Sequence, residues 1–235
     1  KIEIFSKDKN RVESKIVDIK NLNKLPSIVR KKISGDIKKI TAKRKFISSK
    51  NHLIMGILNM TPDSFSDGGK FNSQIKASQR IKDMINAGAN IIDIGGESTR
   101  PGSNIISQKN ELKRVKKIIE KFKKKFPKIL LSVDTRKSLV MDFSLKYGAD
   151  IINDVSCFKH DPKSFSIIKN KNIWKIIHHM QGTPQTMQIN PYYKNVLLEI
   201  YDFFENEIKK LKKFKHNQKI ILDPGIGFGK NLKHN

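Results

Sequence analysis

The most regular feature of the chain is a series of short apolar runs, rich in isoleucine, that recur between residues 53 and 225. They do not alternate strictly between apolar and polar positions, which is typical of strands buried on both faces of a parallel sheet. The six runs occupy residues 53–59, 90–98, 129–135, 150–156, 174–180 and 219–225. We therefore predict six buried parallel strands.

Segments with apolar residues at helical spacing lie between most of these runs. They occupy residues 73–88, 107–122, 138–148 and 196–214. Gly88 suits the position just past a helix C-terminus, and Ser107, with Glu111 nearby, suits a helix start. Alternation of strands with helices predicts right-handed βαβ units.

The spacing of these units favours a barrel over an open, doubly wound sheet. Residues 51–235 hold six units of about 31 residues each, and eight such units would need roughly the 250 residues of a (β/α)8 barrel. No Gly-x-Gly-x-x-Gly follows the first run, and polar groups follow every run rather than a single crossover point. The expected fold class is α/β, a (β/α)8 TIM barrel of which this chain covers about six units.

Residues 1–50 differ from the rest of the chain. They are rich in lysine, show no strand pattern and contain one amphipathic helical pattern at residues 25–41. We predict a basic N-terminal extension over residues 1–50 and a barrel over residues 51–235. A transit peptide is the alternative interpretation of the extension, but arginine is scarce and acidic residues are present.

The formal net charge of +26 would ordinarily suggest a nucleic-acid or membrane partner. The 48 basic residues are, however, 41 lysines and 7 arginines spread along the whole chain, which indicates a compositional bias. The densest run, residues 116–128, has helical spacing and predicts a helix with a solvated basic face. We therefore expect neither nucleic acid nor a membrane as a partner.

A single cysteine, Cys157, excludes an intramolecular disulfide and fits a reducing compartment such as the cytoplasm. Because it follows an apolar run, we expect a buried, unreactive thiol. No stretch approaches the roughly 20 consecutive apolar residues of a membrane span.

Polar side chains follow each of the six runs, where the strand ends of a barrel would face one shared pocket. Each could be a helix cap, as for Asp134 and Asp223, but six in succession favour a binding site, since burial without a partner costs about 1–3 kcal/mol. Adjacent His178 and His179 would point to opposite sides of a strand and are not expected to share a metal ion. The residues are Asn59, Glu97, Ser98, Thr99, Arg100, Asp134, Asn153, Asp154, His178, His179 and Asp223.

The side-chain types in this set favour a flat heterocyclic ligand. Asp134, Asn153 and Asp223 supply carboxylates and an amide without a base–nucleophile pair. A carboxylate can accept two parallel hydrogen bonds, which suits an edge with adjacent N–H and NH₂ groups. Arg100 and the nearby glycines suit an anionic group. The glycine-rich stretch at residues 225–230 lacks the spacing of a P-loop.

The first loop carries more polar groups than a strand-to-helix connection needs. Residues 58–69 read LNMTPDSFSDGG, with two aspartates, two serines, Phe65 and two glycines. One N-cap and one glycine would suffice for a short connection. We expect a loop that closes over a ligand with its two glycines as the hinge, the alternative being a static capping loop.

Six ordered motifs together resemble dihydropteroate synthases. They occupy residues 59–69, 93–103, 132–137, 152–156, 179–188 and 223–231. Members of that family are (β/α)8 enzymes of folate synthesis that join 6-hydroxymethyl-7,8-dihydropterin diphosphate to p-aminobenzoate and release diphosphate with Mg²⁺. The resemblance covers residues 53–235 and implies this fold, these small-molecule substrates and this metal ion.

The resemblance also implies roles for single residues. Asn59 would hold Mg²⁺ and diphosphate, and Asp67 would join that assembly. Thr99 would contact the diphosphate-bearing substrate. The residues implied to hold the pterin are Asp134, Asn153 and Asp223, and those implied to be catalytic are Asp67, Arg100, Asp134 and Asp223.

The second substrate has its own implied set. Phe65 and Pro101 would flank the benzoate ring, with Ser98 and Arg100 in the same closing loop. The wall of the whole pocket, which is not assigned to either substrate, would be shaped by Gly227 and Phe228, with Met180 as a secondary candidate.

Members of the family have two further strands, with a Ser-Arg-Lys-like element and an Arg-x-His pair, that are not in this sequence. We therefore expect either part of a longer gene product or an inactive remnant. An open barrel exposes the edges of its first and sixth strands, so we expect no competent synthase from these 235 residues alone. The complete protein is implied to be a homodimer.

Three alternatives stay open. A pterin-binding methyltransferase acting on a methylated folate could share the barrel, although the motifs at residues 59–69 and 98–102 favour the synthase. A nucleic-acid-binding protein would explain the charge but not the motifs. A degenerate scaffold would keep the motifs without activity.

Overall fold

The computed structural model describes residues 1–8, 11–42, 52–61, 70–98, 103–213, 215–216 and 218–235. The chain divides into two compact units, Lys1–Ser49 and Lys50–Asn235. Within the described residues, no helix has the length and apolar character needed to cross a membrane.

The first unit begins with an antiparallel hairpin of β1 (Ile2–Asp8) and β2 (Arg11–Val17). A short 3₁₀ helix at Ile19–Lys24 and helix α1 (Ser27–Thr41) follow. The helix predicted at residues 25–41 is confirmed.

The expectation that residues 1–50 contain no strand is wrong. All residues of β2 except Val17 are exposed, so the hairpin is held by its backbone hydrogen bonds and buries little apolar surface. A strand without a buried face leaves no periodic apolar signal in the sequence.

The second unit contains a six-stranded parallel sheet whose strands are in sequence order. All six predicted strands are confirmed. They are β3 (Met55–Asn59), β4 (Ile91–Gly95), β5 (Leu130–Asp134), β6 (Ile151–Asp154), β7 (Trp174–His178) and β8 (Ile220–Asp223).

Helices connect the strands of this sheet. They are α2 (Lys70–Asn86), α3 (Gln108–Lys125), α4 (Ser138–Lys146), α5 (Ser164–Ile168) and α6 (Val196–Leu211). Four of them are the predicted helices, whereas α5 was not predicted because five residues are too few to show a helical period. Parallel strands in sequence order with intervening helices form six units of a (β/α)8 barrel, which confirms the expected fold class.

Helix α3 shows how the sequence builds these units. The hydroxyl of Ser107 caps its first turn by accepting the N–H of Asn110 at 3.2 Å. One face of the helix is buried through Val115, Ile119 and Phe122, while most of its lysines are exposed. The dense basic run is therefore a solvated helix face, as predicted.

The hydrophobic core lies between the sheet and the helices. Strand residues in it include Leu58, Ile92, Ile94, Leu131, Val133, Ile152 and Ile177, which pack with α2, α3 and α4. Because side chains alternate along a strand, the residues between them face the opposite side of the sheet. Gly56 fits this alternation, since a Cβ there would lie 2.7 Å from the Met84 sulfur of α2.

Candidate active site

Strand register places three of the predicted site residues in one row, on the sheet face opposite the helices. Asn59 pairs with Gly95, Gly95 with Asp134, and Asp134 with Asn153. Gly95 has no side chain, so Asn59 and Asp134 approach each other across it. A Cβ placed on Gly95 would lie 3.5 Å from Asn59 Oδ1 and 3.6 Å from Asp134 Oδ2. The row therefore spans four adjacent strands, β3 to β6.

Asp93 also belongs to this group. It was not predicted as a site residue, because it lies in the middle of a strand and not at its end. It lies on the same face of β4 as Gly95 and is only 4% exposed. Asn153 donates its amide N–H to Asp93 Oδ2 at 3.0 Å. Among the described residues, Asp93 Oδ1 and Asn153 Oδ1 are buried without a hydrogen-bond partner. An aspartate inside the apolar run Ile-Ile-Asp-Ile-Gly was the available sequence signal.

Burial and crowding of carboxylates shape the electrostatics of this row. Burial, followed by the charges of Asp93 and Asp154, raises the pKa of Asp134 well above its usual value. Burial likewise raises the pKa of Asp93. Unsatisfied buried acceptors cost about 1–3 kcal/mol each, and a ligand rich in N–H donors would remove that cost.

Asp223 presents a carboxylate at the same end of the sheet. It ends β8 and pairs in register with His178, the last residue of β7. His178 Nδ1 lies 3.2 Å from Asp223 Oδ2, and the N–H of Gly225 donates to Oδ1 at 2.8 Å. The hydrogen bond from His178 is the largest of the contributions that lower the pKa of Asp223. Asp223 is therefore ionised at neutral pH.

His179 points away from His178, as alternation along the chain requires. Its Nδ1 accepts a hydrogen bond from Lys230 Nζ at 2.9 Å, and its ring meets Phe203 edge-on at 4.8 Å. Lys230 also donates to the carbonyl oxygens of Gly225 and Phe228, both at 3.0 Å. Lys230 thus stabilises the conformation of the glycine-rich loop at residues 225–230.

We expect the stability of the protein to fall as the pH is lowered from about 6.5 to 4, partly through His179. Burial, followed by the charge of Lys230, lowers the pKa of His179 to about 4, whereas an unfolded histidine titrates near pH 6.5. The folded state therefore holds fewer protons in this window, and its stability is lost as the pH falls. Urea unfolding at pH 7 and pH 4.5 measures the loss.

Protonation of carboxyl groups also lowers the stability of the protein in acid. A His179→Asn variant separates the contribution of His179 from theirs. The difference in unfolding free energy between the wild type and this variant should shrink by on the order of 2 kcal/mol between the two pH values. His52→Asn, at an exposed position, is the matched control. Parallel pH dependence of the wild type and His179→Asn would contradict the expectation.

A buried cluster of four charged side chains lies beside the row, between the loops that follow β4 and β5. Arg136 Nη2 lies 2.7 Å from Glu97 Oε2, and Lys137 Nζ lies 2.8 Å from Glu97 Oε1. Lys137 Nζ also lies 2.7 Å from Glu111 Oε2. Glu97 Oε1 accepts the N–H of Ile106 at 3.0 Å as well, which ties together both ends of the loop between β4 and α3. Glu97 and Glu111 are therefore structural.

Two further strand-end residues also have structural contacts. Asp154 accepts hydrogen bonds from the N–H groups of Ser156 and Phe158, and it organises the turn after β6. Burial raises its pKa to about 6. Cys157 is buried, its thiol donates to the carbonyl oxygen of His178, and burial raises its pKa to about 12. The predicted burial of this thiol is confirmed.

Of the other predicted residues, four lie in the described part of the chain and five lie outside it. Ser98 is partly buried and its carbonyl oxygen accepts the hydroxyl of Ser103 at 2.6 Å, while Met180 is also partly buried. Phe228 meets the ring of His178 at 4.6 Å between centroids, and Gly227, at φ 79°, donates to Asn235 Oδ1 at 2.8 Å. The residues that lie outside the described part of the chain are Phe65, Asp67, Thr99, Arg100 and Pro101.

Six parallel strands with connecting helices, and acidic and amide groups gathered at the carboxyl ends of the strands, define the class of protein, one built on a (β/α)8 barrel. Residues 55–235 match the family of pterin binding enzymes. The dihydropteroate synthase of Escherichia coli strain K12 is 46% identical over 183 residues, which is 77% of this chain and 64% of that relative. The chain thus spans somewhat less than two thirds of that relative's length.

Solved structures agree with the sequence comparison. The Yersinia pestis dihydropteroate synthase, in a sulfonamide drug complex, superimposes with a TM-score of 0.74 at 42% identity, over 83% of this chain and 70% of that one. The Clostridium difficile enzyme, in the presence of pteroic acid, gives 0.72 at 41% identity, over 81% and 70%. The chain belongs to the dihydropteroate synthase family of pterin-binding enzymes.

Proposed function

We propose that this protein acts as a dihydropteroate synthase, a transferase that joins 6-hydroxymethyl-7,8-dihydropterin diphosphate to p-aminobenzoate. The products are 7,8-dihydropteroate and diphosphate. The observation that carries the proposal is the row of side-chain acceptors formed by the partly buried Asn59, Asp134 and Asn153 together with the buried Asp93. Membership of the family and the pteroic acid with the Clostridium difficile relative support the same ligand class.

The pterin would lie against the row and against Asp223. Asp134 and Asn153 offer acceptors to ring N–H groups, and Asp223 offers both carboxylate oxygens to the edge that carries adjacent N–H and NH₂ donors. Asp223 suits this role because it is ionised and, with its side chain 44% exposed, open to a ligand. Thr99 would contact the diphosphate-bearing substrate.

The p-aminobenzoate would lie nearer the mouth of the barrel. Phe65 and Pro101 would flank its ring, and Ser98 and Arg100 belong to the same loop. The wall would be made by Gly227, Phe228 and Met180. Contact of Phe228 with the ring of His178 puts the phenyl ring beside Asp223, at the pterin end of this wall.

Mg²⁺ fits this site as an ion held mainly by the substrate. The described residues include no group of three or more His, Cys, Asp or Glu side chains suited to a metal ion. Mg²⁺ commonly takes only one or two protein oxygens and completes its shell with phosphate oxygens and water. The amide oxygen of Asn59, beside Asp134 at the strand ends, suits such a ligand, and Asp67 would join it. The bound ion would neutralise charge on the diphosphate.

The reaction would displace diphosphate from the exocyclic CH₂ of the pterin. The amine nitrogen of p-aminobenzoate forms the new C–N bond, the C–O bond breaks, and diphosphate leaves with the electron pair. The amine then loses one proton to solvent. An aromatic amine is neutral at pH 7, so the protein needs no strong base. Asp134, Asn153 and Asp223 orient the pterin, and the closed site excludes water from the reactive carbon.

The direct test is an assay of the purified full-length protein with both substrates and Mg²⁺. We expect equal amounts of diphosphate and dihydropteroate to form. Absence of diphosphate release, together with no binding of pteroic acid, would contradict the proposed function. Transfer of a methyl group from a methylated folate instead would favour the methyltransferase alternative.

A Phe65→Ala variant tests the place of the second substrate. We expect the KM for p-aminobenzoate to rise about fivefold, since a ring contact contributes on the order of 1 kcal/mol. The KM for the dihydropterin diphosphate should stay unchanged. The reverse pattern, a changed pterin KM with an unchanged p-aminobenzoate KM, would remove Phe65 from the p-aminobenzoate site.

A further inference from the structure

We propose that His178 is a positioning residue that orients the Asp223 carboxylate for the pterin, an inference that rests on the proposed function. The two residues end neighbouring strands and are register partners. Partner residues on parallel strands point to the same face of the sheet. Ile177 belongs to the core beneath the helices, so the next side chain, His178, turns to the ligand face.

Two donors hold the Asp223 carboxylate, one at each oxygen. His178 Nδ1 lies 3.2 Å from Oδ2, and the N–H of Gly225 lies 2.8 Å from Oδ1. An ionised carboxylate has about four acceptor positions, so each oxygen keeps one for a ligand. One free position on each oxygen is the number that a ligand edge with two parallel donors requires.

The imidazole is itself immobilised, which lets it act as a support. Its ring meets Phe228 edge-on at 4.6 Å between centroids. A Cβ on Gly225 would lie 2.9 Å from its Nε2, so only glycine leaves room for the ring there. The backbone carbonyl of His178 accepts the thiol of Cys157 at 3.1 Å.

Burial separates the roles of the two side chains. The His178 side chain is 6% exposed and the Asp223 side chain 44%, so a ligand reaches the carboxylate and not the imidazole. His178 Nε2 is buried and has no hydrogen-bond partner among the described residues. A proton on Nε2 would be an unsatisfied buried donor, which favours the tautomer with its proton on Nδ1, the atom that faces Asp223.

A carboxylate that is already held in its binding orientation loses less freedom when the ligand arrives. Without His178, the Gly225 N–H would be the one remaining donor to Asp223 among the described residues, and the side chain could rotate away from the ligand edge. We therefore expect His178 to contribute to pterin affinity without touching the pterin. Binding of p-aminobenzoate should not depend on it.

Two substitutions at this position separate orientation from packing. Asn at position 178 carries an NH₂ near the place of Nδ1, whereas Leu has similar bulk and no donor. We expect His178→Asn to bind pteroic acid within about threefold of the wild-type Kd, and His178→Leu to bind it about tenfold more weakly. In turnover, His178→Leu should raise the KM for the dihydropterin diphosphate and leave the KM for p-aminobenzoate unchanged.

Each outcome decides a separate question. Equal Kd values for His178→Leu and the wild type, or equally weak binding by both variants, would overturn the positioning role while leaving the proposed function intact. The ¹⁵N signals of the His178 ring in the ligand-free wild type provide a readout that does not depend on activity. A proton on Nδ1 supports the role, and a proton on Nε2 alone overturns it. A wild type that binds no pteroic acid would overturn the proposed function and this role with it.

Discussion

Replacing Lys137 with methionine is expected to lower the free energy of unfolding by about 3–5 kcal/mol. Lys137 Nζ lies 2.8 Å from Glu97 Oε1 and 2.7 Å from Glu111 Oε2, and the Lys137 and Glu111 side chains are 4% and 0% exposed. Glu97 would keep Arg136 as a partner. Glu111 would be left as a buried charge with no ion-pair partner among the described residues. Urea unfolding at pH 7 measures the change.

Two further variants test the cause of this loss. Lys124→Met removes an exposed lysine from α3 and should change the unfolding free energy by less than about 0.5 kcal/mol. A double variant, Lys137→Met with Glu111→Leu, removes both charges and should recover much of the loss, because apolar replacement of a whole buried pair is often neutral. A single variant as stable as the wild type would contradict the role of the cluster.

The same cluster has a consequence for activity. Glu97 binds Arg136, Lys137 and the N–H of Ile106, and so it joins the loop after β4 to the loop after β5. Ser98 belongs to the first loop and Asp134 lies just before the second. Loosening the cluster should therefore disturb the loops on which the proposed substrate contacts depend.

Replacing Asp223 with alanine is expected to weaken pteroic acid binding by about 100-fold, roughly 3 kcal/mol. The proposed contact is a pair of hydrogen bonds from the ligand to an ionised carboxylate, and the alanine would leave two ligand donors without acceptors. The variant should stay folded, because the Asp223 side chain is 44% exposed and its removal leaves no large cavity in the core. Fluorescence titration of the full-length protein measures the Kd.

A matched control comes from an aspartate on the exposed side of α4. Asp142→Ala should leave the Kd unchanged. Asp223→Asn should also bind weakly, because its NH₂ group would face either the ligand donors or the donors of His178 and Gly225. An Asp223→Ala variant with unchanged affinity would mean that the two-donor edge of the pterin binds elsewhere.

The secondary structure of the barrel could be predicted because its central strands, β4 to β7, are largely buried, while β3 and β8 are partly exposed. Continuous apolar runs such as residues 90–95 are typical of strands in a parallel sheet, and their spacing sets the number of units. The elements that were missed lack that signal. The hairpin of β1 and β2 is almost wholly exposed along β2, and α5 is a single short turn of five residues.

The candidate site was predictable only as a set of strand ends. Asp134, Asp223, Asp154 and Glu97 look alike in the sequence, since each is an acid at the end of an apolar run. In the structure, Glu97 is paired with buried cations and Asp154 orders a turn, whereas Asp134 and Asp223 lie at the strand ends on the sheet face opposite the helices. Partners far apart in the chain separate these cases, and no local pattern encodes them.

Asp93 and Lys230 are two charged residues whose burial and partners could not be predicted from the sequence. The partner of Asp93 is Asn153, 60 residues away, and the partner of Lys230 is His179, 51 residues away. Their types suggest solvent-exposed charges, yet both are buried. Folding provides a distant partner for each of them, and for Lys230 two carbonyl oxygens of its own loop add to it, which makes the burial tolerable.

By itself, the sequence determined where strands and helices form, the parallel order of the units and the pool of polar groups at the strand ends, because these follow from local hydrophobicity and spacing. The tertiary structure decided which of those groups lie on the same face of the sheet and which are held in ion pairs with other side chains. The physical reason is register: a shift of one residue along a strand moves every side chain to the other face of the sheet. Register is set by packing between strands, so the row from Asn59 to Asn153 exists only in the folded chain.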